Sequence, residues 1–148
     1  MKSVKSGMGF TGCIGGCEAL EGIHVSPDNT EFASLDGVLY NNSMTELLAY
    51  PLGKAGDSFT TPDGVLTIGK HSFEQNMRLQ SVKLSDGVEV IDYDAFAFCE
   101  NLKEIKLPDS LRSIGGAAFW FCQRLNNVNV AQWPYQPWSK CLSRMFSA

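Results

Sequence analysis

One pattern recurs three times along this chain at a strictly constant interval. Asp63-Gly64-Val65-x-x-Ile68-x-x-x-x-Phe73 returns as Asp86-Gly87-Val88-x-x-Ile91-x-x-x-x-Phe96, and again as Asp109-Ser110-Leu111-x-x-Ile114-x-x-x-x-Phe119. The register continues through Asn76, Cys99 and Cys122, then Leu79, Leu102 and Leu125. Val82, Ile105 and Val128 follow, and then Leu84, Leu107 and Val130. Units this short cannot bury an apolar edge alone, so each must stack on the next and share one core. Such a stack offers an extended surface and no ready-made catalytic pocket.

The spacing of the apolar residues defines the coil. Leu102-x-x-Ile105-x-Leu107 sets Ile105 and Leu107 on one side of a short strand, with Lys106 between them pointing out. Leu111 and Ile114 supply a second inward pair, and Ala118-Phe119 closes the turn. Gly115-Gly116 permits the bend, since glycine accepts backbone angles that other residues resist. The period and leucine spacing predict a leucine-rich repeat solenoid with α/β-type repeats, mostly short parallel strands and turns.

Upstream the pattern is interrupted. Cys17, Leu20, Ile23 and Val25 match Cys99, Leu102, Ile105 and Leu107, a partial first repeat. Ile23 and Val82 should then stand one period apart, but more than two periods of chain separate them. Within that excess, Val38-Leu39-Tyr40 and Glu46-Leu47-Leu48-Ala49-Tyr50 flank Asn41-Asn42-Ser43-Met44-Thr45: strand, turn, strand. Pro51, Gly53 and Gly56 mark the loop back. The chain therefore reads as a single domain: partial repeat 14–25, inserted β-hairpin 26–60, three full repeats of equal length 61–130, and an aromatic C-terminal cap 131–148. Asn41-Asn42-Ser43 is also a glycosylation sequon, relevant only in a eukaryotic secretory pathway.

Composition narrows the function classes. The 148 residues are 44% hydrophobic and 19% charged, with net charge −4. A nucleic-acid grip needs clustered Lys and Arg, and none is present. The sequence has no apolar run of the roughly 20 residues that a spanning helix needs, so no membrane-spanning segment is expected. Lys2 and Lys5 could open a signal peptide, but the apolar stretch that should follow is missing. Phe10-Thr11-Gly12-Cys13 and Ile14-Gly15-Gly16-Cys17 faintly resemble bacterial lipoprotein cleavage sites, although the repeat register accounts for Cys17. The five cysteines lack paired spacing; Cys99 and Cys122 share one repeat position with Asn76 and are expected as buried free thiols. Cys13-x-x-x-Cys17 has poor zinc spacing, and His24 and His71 lie far apart, so no metal or cofactor is expected.

The run Cys-x-x-Leu-x-x-Ile-x-Leu-x-x-x-Leu-x-x-Ile-Gly-x-x-Ala-Phe-x-x-Cys is carried whole by Cys99 through Cys122. It resembles the BspA-like, or Treponema pallidum-type, leucine-rich repeat family. The insertion resembles that family too, in Ser34-Leu35-Asp36-Gly37-Val38-Leu39-Tyr40 and Leu48-Ala49-Tyr50-Pro51-Leu52-Gly53-Lys54. The likeness covers residues 14–130, with departures at Ser72, Asn76 and Asp92. It implies a surface or secreted protein of a host-associated bacterium. Several members act as adhesins toward host matrix proteins, such as fibronectin or fibrinogen, or toward other microbial surface proteins.

Candidate contact residues follow from strand alternation. Gly22, His24, Ser81, Lys83, Glu104, Lys106, Asn127 and Asn129 should face outward. Four strands spaced about 4.8 Å apart give a face about 19 Å wide. With short strands that is roughly a few hundred Å², well under the roughly 800 Å² per partner of a standard interface, so binding by one such unit should be weak unless presented in an array. Ala131-Gln132-Trp133-Pro134-Tyr135-Gln136-Pro137-Trp138 leaves the pattern; Trp133 and Trp138 either cap the core or offer an aromatic patch. Asp92 with Asp94, and His71 with Ser72, are the nearest things to catalytic pairs, but both fall at coil bends where polar residues are ordinary. An enzyme is not expected. Two readings remain: an interaction module of adhesin type, or a structural spacer without a ligand. An intracellular interaction repeat fits the unpaired thiols equally well.

Overall fold

The computed structural model describes residues 17–128 and contains ten short strands. Three form an antiparallel meander: β1 (Phe32–Leu35), β2 (Val38–Asn41) and β3 (Glu46–Ala49). The rest alternate between two sheets as the chain winds: β4 (Ser58–Thr60), β5 (Thr67–Ile68), β6 (Ser81–Lys83), β7 (Val90–Ile91), β8 (Glu104–Lys106), β9 (Ser113–Ile114) and β10 (Asn127–Val128). The even-numbered ones from β4 onward make a four-stranded parallel sheet in the order β10-β8-β6-β4. The odd-numbered ones from β5 onward continue the meander into a six-stranded sheet, β1-β2-β3-β5-β7-β9. Parallel neighbours pair one period apart, Val82 with Ile105 and Ile68 with Ile91, as the repeat requires.

The core is a set of columns running along the stack. Val82 and Ile105 point inward from one sheet, Ile68 and Ile91 from the other, all fully buried. Phe73, Phe96 and Phe119 form a third column at the bend. Their rings stack 4.7 and 5.3 Å apart, within 12° of parallel. Tyr50, one period before Phe73, extends this column at a centroid distance of 5.0 Å. Rings at this spacing add dispersion and quadrupole attraction to the burial of large apolar areas.

No helix occurs among the described residues, so the repeats are strand-turn-strand-turn. The reason is local. His71 and Gln75, Asp94 and Phe98, Ala117 and Phe121 all have φ between 54° and 63°, two left-handed residues at matching places in each coil. A left-handed non-glycine residue costs roughly 1–2 kcal/mol and breaks a right-handed helix wherever it occurs. Backbone pairing offsets that cost. Phe73, Gln75, Phe96 and Phe98 donate their N–H groups to Ala95, Ala97, Ala118 and Trp120 of the next coil. The intervening Ala95, Ala97 and Cys99 donate within their own coil, to Asp92, Asp94 and Phe96. The bend is thus a third ladder, and its backbone donors are satisfied without regular structure.

Glycine's role at the bend differs from the expectation. Neither Gly115 nor Gly116 has a positive φ; the left-handed positions there are Ala117 and Phe121. Gly115 is needed for close approach instead: a Cβ there would collide with the backbone of Asp92 and Tyr93. A Cβ on Gly116 would meet nothing within 4 Å. The hairpin of β2 and β3 forms at the expected place, where the Asn41 side-chain oxygen accepts the N–H groups of Thr45 (2.8 Å) and Glu46 (2.9 Å). Asn41 Nδ2 donates to Thr45 Oγ1 at 2.9 Å, so the sequon's amide is already engaged in the turn. A second hairpin turn, Asp36-Gly37, has φ of 50° and 80°, as a tight two-residue hairpin loop demands, and adds β1.

The packing at the bend sets two contrasts in stability. Phe96→Ala should cost about 3–5 kcal/mol, whereas Phe121→Ala, at a ring 50% exposed, should cost no more than about 1.5 kcal/mol. Urea denaturation midpoints of the two variants test this difference. Gly115→Ala should destabilise by about 1–3 kcal/mol through overpacking against backbone. Gly116→Ala should be neutral or stabilising by up to about 1 kcal/mol, and thermal melts of the pair decide it.

Candidate interaction surface

The four-stranded sheet turns Phe59, Val82, Ile105 and Val128 toward the core. Its outer face therefore carries Ser58 and Thr60, Ser81 and Lys83, Glu104 and Lys106, and Asn127. Ser58, Thr60, Lys83, Lys106 and Asn127 are exposed, and Ser81 and Glu104 are half-buried. Pairing sets Thr60 opposite Lys83 and Lys83 opposite Lys106, in one column. The neighbouring column runs Ser58, Ser81, Glu104, Asn127. Neither lysine takes part in an ion pair among the described residues, where both close contacts of that kind involve His71.

The expected membership of this face needs one correction. His24 and Gly22 are not part of the sheet. Residues 20–26 form no strand; Ile23 donates its N–H to Gly37 O at 2.8 Å, so the segment follows the Asp36-Gly37 turn instead. The fourth strand is β4, whose Ser58 and Thr60 take the places assigned to Gly22 and His24. Lys83, Glu104, Lys106 and Asn127 do come together on one face. Asn129, Trp133 and Trp138 lie outside the described residues, as do the C-terminal cap and the cysteine of the first lipoprotein-like site, Cys13. A phase signal for β4 was available: Phe59 sits one period before Val82, and an aromatic residue can fill an aliphatic position at the end of a core.

The cysteine column is interior. Cys99 and Cys122 are buried free thiols, and Cys17 is free and exposed. Cys99 Sγ donates to Phe73 O at 3.1 Å, and Cys122 Sγ to Phe96 O at 3.0 Å. Burial, with the adjacent Cys122 thiol, pushes the Cys99 thiol well above its usual range, which suppresses the reactive thiolate. Asn76, at the same column position, instead accepts the N–H groups of Arg78 and Leu79 with its side-chain oxygen.

His71 and Ser72 are not hydrogen-bonded to each other. His71 is half-buried, and its Nδ1 lies 2.9 Å from Glu74 Oε2 and 3.9 Å from Asp94 Oδ2. Ser72 is buried, and its hydroxyl has no hydrogen-bond partner among the described residues, so His71 cannot act as its base in this arrangement. Asp92 accepts the Tyr93 N–H at 2.8 Å and serves as a turn cap. Nearby, burial foremost and then Asp92 raise the Glu46 carboxyl above its usual 4.5, with Lys70 opposing.

A leucine-rich solenoid with a polar outer sheet and one shared hydrophobic core is thus the class of protein that this chain forms. Residues 54–143 match the BspA type leucine rich repeat region, and the chain belongs to that family. Among solved structures it is similar to a leucine-rich repeat protein from Eubacterium ventriosum, with 33% identity, a TM-score of 0.73, and coverage of 84% of this chain and 32% of the other. It is also similar to the pneumococcal vaccine antigen PcpA, with 28% identity, a TM-score of 0.66, and coverage of 73% of this chain and 32% of the other. The chain spans about a third of the length of both. No protein of curated function matches it. No helix among the described residues is long and apolar enough to cross a membrane.

Glu46 makes stability depend on pH. Its raised folded-state value means that folding favours the protonated form. That contribution is present below pH 4.5 and is lost as pH rises through the folded-state value. Glu46→Gln should therefore be more stable than the parent at pH 7, with the advantage vanishing toward about pH 3. Denaturation midpoints measured at both pH values check the sign.

Proposed function

We propose that this chain is a protein-interaction module of adhesin type, at the cell surface or secreted, that binds its partner through the outer face of the four-stranded sheet. The observation that carries this reading is the composition of that face. It is polar, carries two lysines without ion-pair partners among the described residues, and rests on strands held in register by the core columns beneath. Such rigidity reduces the ordering cost of binding. Membership of a family of repeat proteins supports interaction as the task, and a vaccine antigen among the structural relatives supports a surface or secreted location. The face is narrow, so affinity comes from presentation in many copies or within a longer solenoid.

The test is binding of the chain, coupled at high density to beads, to immobilised fibronectin and fibrinogen. A Ser81→Tyr/Asn127→Tyr variant, which obstructs the face without changing its charge, serves as the comparison. Saturable binding by the parent and its loss in the folded variant is the expected result. Binding unaffected by the obstruction would move the site off this face, and no binding would count against matrix adhesion.

A further inference from the structure

Resting on that reading of the face, we infer that its partner presents a carboxylate-rich extended segment, which Lys83 and Lys106 hold as a pair. The two lysines are direct cross-strand neighbours in β6 and β8. Strands are spaced about 4.8 Å apart, so two ammonium groups are anchored closer together than a Debye length at physiological salt. Like charges placed opposite each other across a sheet oppose its pairing. Neither lysine is relieved by an ion pair among the described residues. Glu104, the one acidic group on the described part of the face, stands in the other outward column, opposite Ser81 and Asn127. A bound anionic group would remove that repulsion, and an isolated one would meet both cations at once.

The remaining outward side chains narrow the chemistry. Ser58, Thr60, Ser81 and Asn127 all carry hydrogen-bond donors, and no aromatic ring lies on the outer face of β4, β6, β8 or the described part of β10. Sugar rings and bases bind by stacking on such rings, so this face lacks their platform. Two lysines on a chain of net charge −4 are too few for a phosphate backbone. An extended peptide fits better. Its alternate side chains point the same way about 6.8 Å apart, a distance that two flexible lysines rooted one strand apart span by splaying. Laid along the stack, across the strands, such a segment brings two carboxylates of a Glu-x-Glu or Asp-x-Asp run to Lys83 and Lys106. Thr60 then lies next to Lys83 in the same column, and Asn127 lies on the strand beyond Lys106 in the neighbouring one.

Two synthetic peptides of equal length test this, one with glutamate at alternate positions in a glycine-serine background and one with glutamine there. Each is titrated to millimolar concentration against the immobilised full chain and its Lys83→Gln/Lys106→Gln variant, with heparin as a sulfated competitor. The glutamate peptide should bind, the glutamine peptide should bind at least about tenfold more weakly, and the double variant should lose about tenfold. Affinity should fall as salt rises from about 50 to about 300 mM. Equal binding of the two peptides, no binding of either, undiminished binding by the variant, or preference for heparin over the glutamate peptide would each overturn the inference. The matrix-binding assay separates the two levels of the argument. If Ser81→Tyr/Asn127→Tyr abolishes matrix binding while Lys83→Gln/Lys106→Gln leaves it intact, the face is the site and the acidic segment is not its ligand. If neither variant matters, the face itself is not the site.

Discussion

Contact between one coil and the next is the interaction on which everything else depends. A single coil holds two or three strand residues per sheet and could not bury Phe96 or Ile105 by itself. The column Tyr50, Phe73, Phe96, Phe119 supplies that burial through ring stacking at 4.7 to 5.3 Å. The same contact sets the vertical register, so that backbone groups of three ladders fall opposite their partners. The bend tolerates two left-handed residues per coil because the ladder and the phenylalanine beneath hold them there. Strain that recurs at His71, Asp94 and Ala117 belongs to the architecture, and no single coil is marked by it as a site.

The meander changes the pairing at one edge of the six-stranded sheet. β3 pairs in parallel with β5, as any coil would, but on its other edge it pairs antiparallel with β2. The chain thus turns the last edge of the six-stranded sheet back upon itself. Residues 17–25 then pass over the Asp36-Gly37 turn and Gly53, where a Cβ would lie 2.8 Å from the carbonyl oxygens of Glu18 and Leu20. Glycine at 53 is required by this close approach of two backbones. Phe59 and Met44 are partly buried and pack against the core at this end.

Much of this was legible in the spacing. Columns of Val, Ile, Leu and Phe at one constant interval were sufficient for the solenoid, because a strict period leaves few other ways to bury those side chains. The left-handed positions were not legible: His71, Asp94 and Ala117 share one position without sharing a residue type, Gln75 differs from Phe98 and Phe121 at the other, and none is a glycine that would mark such a backbone. β1 was missed although Asp36-Gly37 is a strong hairpin signal, because the residues before it, Phe32-Ala33-Ser34-Leu35, do not alternate cleanly. The first repeat misled. Cys17 and Leu20 do make the same turn as Cys99 and Leu102, with Leu20 N–H donating to Cys17 O at 3.0 Å. Just beyond that turn, Ile23 is captured by Gly37, and the expected strand with His24 does not form. Tyr50 and Phe59 carried the true phase: Tyr50 stands one period before Phe73, and Phe59 stands one period before Val82, an aromatic ring in an aliphatic column.

In a repeat, the columns that keep their chemistry from coil to coil account for the fold, and those that change account for what the surface does. Leu79, Leu102 and Leu125 are interchangeable, as are Phe73, Phe96 and Phe119, and all six are buried. On the outer sheet the columns read Thr60, Lys83, Lys106 and Ser58, Ser81, Glu104, Asn127, with no chemistry held throughout. Packing does not choose these residues, because their side chains stand on the face turned away from the core. Nor does sheet pairing choose them, since two lysines side by side weaken it. The fold does not account for the pair, and attraction to the acidic segment inferred above would account for it on a narrow, donor-rich face. A longer solenoid would extend the same face over more coils, which raises affinity by adding contacts without altering the geometry of any one of them.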